Sequence, residues 1–141
     1  MKILHLDKEM VMENMDRLME IDRAIMDDPW TAYNFLMDLE GKWEFSLVAL
    51  ENNIIIGFLI CSVRGNSIHI HRIAVSPEHQ RRKVGSALIE HLVTNCYKSG
   101  INSITLKVRD FNINAQKFYE KLGFRKIASH GFRYLYGREL Q

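Results

Sequence analysis

The chain has 141 residues, 47% of them hydrophobic, and a formal charge of +2 at neutral pH. That length suits one domain spanning residues 1–141 and is short for two, and the near balance of charge excludes the protein-wide positive field expected of a nucleic-acid binder. No apolar run reaches the length of a membrane span, and the start MKILHLDKEM has neither the apolar stretch nor the cleavage site of a secretory leader, so a cytoplasmic protein with no membrane partner is expected.

Residues 2–6 alternate as a short edge strand does. Val11, Met15, Leu18 and Ile25 then fall on one face of an amphipathic helix that Asp7 caps. The stretch DDPWTAYNFLMDLEG reads as a turn and a short second helix, with Thr31 as N-cap and Gly41 just past its last turn. A meander follows: WEFSLVAL from Trp43, a turn at Glu51-Asn52-Asn53, IIIGFLICSV, a turn at Arg64-Gly65-Asn66, and SIHIHRIAV. The middle strand is apolar on both faces and is therefore expected at the centre of the sheet. A helix over 81–98 closed by Gly100, the strand INSITLKV, the helix NAQKFYEKLG closed by Gly123, and two strands up to Tyr136 complete the chain. The predicted order is β-α-α-β-β-β-α-β-α-β-β, an α/β protein with a mixed sheet covered by helices. Cys61 and Cys96 show no metal or redox spacing and are expected to be buried free thiols.

One junction asks for an anion. The strand ending at Val75 leads through Pro77 and the cations Arg81, Arg82 and Lys83 to Gly85 and the start of a helix. Unpaired amides and the dipole at a helix N-terminus attract negative charge, and Gly85 permits close backbone approach. Neither a Walker A loop nor a dinucleotide fingerprint is present.

The segment IAVSPEHQRRKVGSAL resembles the acyl-CoA pyrophosphate loop of the GNAT superfamily of N-acetyltransferases, [QR]-x-x-G-x-[GA] after an aliphatic-Ala-Val strand end. Gln80, Val84, Gly85 and Ser86 fit, whereas Lys83 stands where the pattern has its first glycine. A left-handed conformation there would cost lysine about 1 kcal/mol or more relative to glycine. The segment NINAQKFYEKLGFRK is similar to a second superfamily signature, N-x-x-A-x-x-[FL]-Y-x-K-x-G-F, through Asn112, Ala115, Phe118, Tyr119, Lys121, Gly123 and Phe124.

The resemblance implies the GNAT acyl-CoA N-acyltransferase fold, with a mostly antiparallel sheet. It also implies acetyl-CoA as co-substrate, and an acetyl group moved by direct attack of a primary amine. Ile73, Ala74 and Val75 would present strand backbone to the pantetheine and to the carbonyl oxyanion. Gln80, Arg81, Arg82, Lys83, Val84, Gly85 and Ser86 would hold the pyrophosphate. Asn112 would hydrogen-bond the coenzyme, and Tyr119 would protonate the leaving thiolate.

His69 and His71 lie two apart on a strand and so share a face, where imidazoles that titrate near neutrality are candidate bases; such a pair also serves structural ends. Arylalkylamine N-acetyltransferases carry histidines at both positions and histone acetyltransferases a general-base glutamate at the first. That likeness implies His69 as base with His71 assisting. His5, His79, His91 and His130 show no ligand spacing, and no metal is expected.

The acceptor is less legible. LMEIDRAIMDDPWTAYNF resembles the start of bacterial ribosomal-protein N-terminal alanine acetyltransferases through Asp22, Pro29, Trp30, Thr31 and Phe35, although the same residues make a reasonable helix entry. That group reads L-E-V-R before the asparagine motif, with the glutamate as proposed base, where this chain has Leu106-Lys107-Val108-Arg109; a charged lysine cannot take that part. Three readings stay open: acetylation of a protein N-terminus or lysine, acetylation of a small amine, and an idle acyl-CoA-binding module. A monomer or homodimer is expected. The substrate pocket is expected between the first two helices and the C-terminal strands, where Trp30, Tyr33, Phe132, Tyr134 and Tyr136 form either an aromatic wall or core.

Overall fold

The computed structural model describes residues 1–140. In chain order the elements are β1 (Lys2–His5), α1 (Lys8–Glu13), α2 (Met15–Ile25), α3 (Ala32–Leu36), α4 (Lys42–Phe45), β2 (Leu47–Glu51), β3 (Ile54–Arg64), β4 (Ser67–Val75), α5 (Val84–Lys98), β5 (Ser103–Arg109), α6 (Ile113–Lys121), β6 (Arg125–His130) and β7 (Arg133–Glu139). Seven strands form one sheet in the order β1-β2-β3-β4-β5-β7-β6. Every neighbouring pair is antiparallel except β4 and β5, which are parallel.

The period-2 patterns sort the core onto two faces. On β3, Ile56, Leu59 and Cys61 join Leu88, Ile89 and Leu92 of α5, while Phe58 and Ile60 join Leu18 and Ile21 of α2 and Phe35 of α3. A strand apolar on both faces is thereby covered on both faces, as its composition requires. Cys61 and Cys96 are buried and unpaired, and burial pushes both thiols up to about 12, which leaves them protonated and inert. No helix among the described residues is long and apolar enough to cross a membrane.

The expected boundaries shift in three places. The first helix is broken at Asn14, whose side chain donates to the Met10 carbonyl 2.9 Å away and so competes with the helical ladder. The second helix stops at Leu36. Gly41 does not close it: at φ +69° it caps α4, which takes Trp43 and Phe45 from the expected strand, so that β2 starts at Leu47. The reason is long-range. Lys42 is buried, and its ammonium donates to the carbonyls of Asn34, Phe35 and Met37, satisfying the open end of α3. Finally, residues 81–83 are loop, and α5 begins at Val84.

Two departures from a regular sheet shape the centre. Ile60 pairs with Arg72 and Cys61 with Ile70, so His71 is the extra residue of a bulge in β4. In addition, β4 and β5 are paired only from Ser67–Ser103 to Ile70–Leu106, beyond which both strands continue without each other. The sheet is split there.

Candidate active site

The split opens a cleft of about 450 Å³ between β4, β5, the start of α6 and the α2–α3 loop. His69, His71, Ile73, Asn112 and Tyr119 line it, together with Lys107, which stands where the similar enzymes have their proposed glutamate base, and Arg72, which sequence reading did not place in the site. The bulge shifts the alternation of β4 by one residue. Ile68 and Ile70 face α5 before it, and Ile73 and Val75 do so after it. His69, His71 and Arg72 are thereby all left on the side of α2. The odd spacing from Ile70 to Ile73 was the available sequence signal of this bulge.

The two imidazoles stand edge to face with ring centroids 5.1 Å apart. Nδ1 of His69 lies 2.8 Å from Thr105 Oγ1 and Nε2 of His71 lies 2.7 Å from Ser62 Oγ, so each ring keeps its other nitrogen free of protein partners among the described residues. Burial, then the charge of Arg64, holds both well below the usual histidine range, at about 4. Both are neutral at physiological pH.

Across the cleft, Tyr119 is packed by Phe118 and Phe124 at centroid distances of 5.1 Å and 5.8 Å. Burial raises its pKa, so the phenol stays protonated, and its hydroxyl has no hydrogen-bond partner among the described residues. A protonated phenol with a free hydroxyl at the cleft wall is equipped to give up a proton to an incoming anion.

Asn112 is used differently from its expected coenzyme contact. Its Oδ1 accepts from Ala115 N–H at 3.1 Å and caps α6, the helix that carries Tyr119. It orients that helix, and only its amide nitrogen is left to face the cleft.

The expected pyrophosphate loop lies outside the cleft, at the N-terminus of the fifteen-residue α5. None of the amides from Arg81 to Ser86 donates to a protein acceptor among the described residues; the first such bond of the helix is Ala87 N–H to Lys83 O at 3.0 Å. Arg81 and Lys83 both adopt left-handed conformations, φ +66° and +63°. Residues turned in this way gather successive N–H groups into an anion-binding concavity, and lysine occupies the conformation for which the pattern reserves glycine. Gly85 is needed for a different reason: a Cβ there would stand 3.2 Å from Phe118 Cζ, so α5 and α6 meet at that point. Gln80 Nε2 donates to Val75 O at 3.3 Å and ties the loop to the strand end.

Between loop and cleft runs the open edge of β4. Ser76 N–H donates to Ile56 O at 2.8 Å, toward β3, so by alternation the amides of Val75 and Ile73 point to the side that β5 has left. Ala74 contributes backbone alone, since its side chain is buried against α2 and its neighbours. A row of unpaired amides feeding from an anion cradle to two imidazoles and a phenol fits the extended arm, diphosphate and thioester of acetyl-CoA.

Asp22 explains the acidic position of the α2–α3 segment. It is fully buried, receives Arg72 Nε at 2.7 Å and Nη2 at 2.9 Å, and accepts Trp30 N–H at 2.7 Å. Arg72 also lies 5.2 Å from the Trp30 ring centroid. The segment is thus fastened to β4 beside His71, and Thr31 with Asn34 completes a capping box for α3. Of the expected aromatic wall, Trp30 alone lines the cleft. Tyr33 and Phe132 are exposed, and Tyr134 and Tyr136 pack on the opposite face of the sheet, where Tyr136 donates to Glu120 at 3.0 Å. Phe111 takes a place in the wall instead.

Comparison with known proteins agrees with this geometry. The profile of the acetyltransferase (GNAT) family matches residues 15–124. The [ribosomal protein bS18]-alanine N-acetyltransferase of Haemophilus influenzae is 32% identical over 112 residues, 79% of this chain and 75% of that one. Among solved structures, Ard1 from Thermoplasma volcanium superposes with a TM-score of 0.87 at 23% identity, covering 99% of this chain and 97% of its own. The ribosomal-protein-S18-alanine N-acetyltransferase from Escherichia coli superposes at 0.86 and 23% identity, covering 99% and 94%. The chain belongs to the acetyltransferase (GNAT) family and is an acetyl-CoA-dependent N-acetyltransferase.

Proposed function

We propose that the acceptor is the α-amine of a protein N-terminus, and that His69, His71 and Tyr119 carry the proton transfers. The carrying observation is that the sheet face flooring the cleft holds no carboxylate among the described residues; the two that line the cleft, Asp27 and Asp28, belong to the α2–α3 loop, and Asp28 faces the guanidinium groups of Arg72, Arg109 and Arg133. The side chains on that sheet face are His69, His71 and Arg72 on β4 and Thr105, Lys107 and Arg109 on β5, and both imidazoles are held near 4. Bases so weak do not deprotonate a lysine ammonium with a pKa of about 10.4, whereas an α-amine, at about 7.7 to 8.0, already has a sizeable neutral fraction at neutral pH. Similarity to enzymes named for an N-terminal alanine points the same way.

Acetyl-CoA supplies an activated thioester carbonyl. The amides of Arg81 to Ser86 bind its diphosphate, and the free edge of β4 pairs with the pantetheine as an added strand would. The N–H groups of Ile73 and Val75 are the donors at hand for oxygen charge that develops when the amine adds. Addition makes the nitrogen cationic and far more acidic, so an imidazole with pKa near 4 suffices to take its proton, and His69 does so through its free Nε2 or a water. Tyr119 then protonates the departing sulfur.

The test is a panel assayed by coenzyme A release and mass spectrometry: peptides with a free N-terminus, the same peptides α-blocked but containing lysine, and small amines. Free N-termini are expected to be the acceptors; better turnover of blocked lysine peptides or small amines overturns the reading. Tyr119→Phe is expected to lower kcat by roughly 10²-fold while leaving acetyl-CoA affinity nearly unchanged. Equal kcat in the variant removes Tyr119 from the chemistry.

A further inference from the structure

The acceptor side of the cleft is far more cationic than acetyl transfer requires. Lys107 and Arg109 continue the row on β5 that begins with Thr105 beside His69, and Arg133 of β7 lies directly opposite Arg109 in the antiparallel register. Directly opposed residues share a sheet face with Cβ atoms about 5 Å apart, where like charges repel. Arg64 follows Ser62 by two residues on the same face of β3 and also lines the cleft. The compensation is thin. Of the two loop carboxylates that line the cleft, Asp27 makes no ion pair among the described residues and Asp28 lies 3.5 Å from Arg109 and 3.6 Å from both Arg133 and Arg72. Those separations exceed those of hydrogen-bonded ion pairs, and its side chain is 56% exposed. Arg72 has Asp22 behind it, but Lys107 and Arg64 have no ion-pair partner among the described residues.

Two facing guanidinium groups that share one loosely held loop carboxylate, beside an ammonium with no ion-pair partner among the described residues, leave room for a further anion. The coenzyme's diphosphate is not that anion, because the loop from Arg81 to Ser86 lies outside this cleft. Spacing indicates what is. Thr105, Lys107 and Arg109 stand about 6.6 Å apart in succession along β5, the distance covered by two residues of an extended chain. A peptide whose amine reaches His69 and which runs out along this row turns one of its first two side chains, which alternate in direction, toward Lys107, with Arg109 and Arg133 beyond it.

We propose that the acceptor carries a carboxylate at its first or second residue, and that Lys107, Arg109 and Arg133 bind it: the chain acetylates acidic protein N-termini. This rests on the reading that the acceptor is an N-terminal α-amine. Lys107 is then a specificity-determining residue.

The experiment uses pentapeptides with a free N-terminus that differ only in having Asp or Glu, Asn or Gln, or Lys at positions one and two. For the unaltered enzyme, kcat/KM is expected to be about tenfold or more higher for the acidic peptides than for their amides, and lower again for lysine. Lys107→Glu, with Lys107→Met as a milder partner, is expected to abolish the acid preference, and the glutamate variant to favour the lysine peptide. Equal kcat/KM across the three peptides, or an acid preference that survives Lys107→Glu, overturns the proposal. Binding of fluorescently labelled versions of these peptides to protein saturated with coenzyme A separates the two readings. Acid-selective binding without peptide turnover upholds carboxylate recognition and removes the N-terminal reaction; binding indifferent to charge removes carboxylate recognition whatever the turnover.

Discussion

Asp22 shows how a residue that looks like part of a substrate motif acts by fastening the loop that walls the substrate site. With no solvent exposure, its two oxygens are used by the Arg72 guanidinium and the Trp30 amide. Removing one partner of a buried ion pair leaves the other charge unmatched, at a cost of about 3 to 5 kcal/mol. Asp22→Asn is therefore expected to lower stability in urea denaturation by about 3 kcal/mol and to loosen the loop that carries Asp28. A variant with an unchanged midpoint would mean that Arg72 finds a replacement partner. The residues proposed to carry the chemistry, Tyr119 and the two histidines, were singled out in the sequence because a side-chain period of two puts the histidines on one face and the resemblance of NINAQKFYEKLGFRK to a family signature implies a role for Tyr119. Arg72 was not, since its direction depends on a bulge and its partner lies 50 residues away.

The junction of β4 and α5 is organised by backbone conformation more than by side chains. Six amides without protein acceptors precede Ala87, and two of the residues supplying them, Arg81 and Lys83, are left-handed although neither is glycine. The sequence pattern located this junction from Gln80, Gly85 and the strand end, and it flagged Lys83 as the departure. It did not flag Arg81, because a positive φ leaves no mark on a residue that is not glycine. Lysine in the left-handed region costs about 1 kcal/mol. Lys83→Gly is accordingly expected to raise stability by up to about 1 kcal/mol, partly offset by the greater freedom of glycine in the unfolded chain, while keeping the amide cradle. Thermal unfolding and acetyl-CoA titration calorimetry check this together: a loss of stability with weaker binding would mean that the lysine side chain, and not the backbone, is the useful part. The boundary between α3, α4 and β2 was misread for a comparable reason. The stop at Leu36 and the turn at Gly41 are held by Lys42 capping the end of α3 from inside the core, a contact that local periodicity does not encode.

For the molecule as a whole, placing two imidazoles in a cleft ringed by cations has a consequence for acid stability. Both are held near 4 against a usual value of about 6.5. Between those limits the unfolded chain takes up protons that the folded one refuses, so folding stability falls as pH drops from 6.5 to 4 and is regained as pH rises. The loss approaches roughly 3 kcal/mol per imidazole before solvent screening. Urea midpoints at pH 7 and pH 5 are expected to differ measurably more for the unaltered protein than for a His69→Gln, His71→Gln double variant. Parallel behaviour would show that the cleft admits protonated imidazoles without penalty. The order of the strands, the central place of β3 and the glycine-bearing turn into α5 follow from short-range patterns, because period, capping and turn chemistry act over a few residues. The parting of β4 from β5, the side-by-side arrangement of His71 and Arg72, the end of α3, and the gathering of Lys107, Arg109 and Arg133 around Asp28 arise from strand register and from contacts between distant segments. Such contacts exist only once the sheet has closed, so no local reading of the chain contains them.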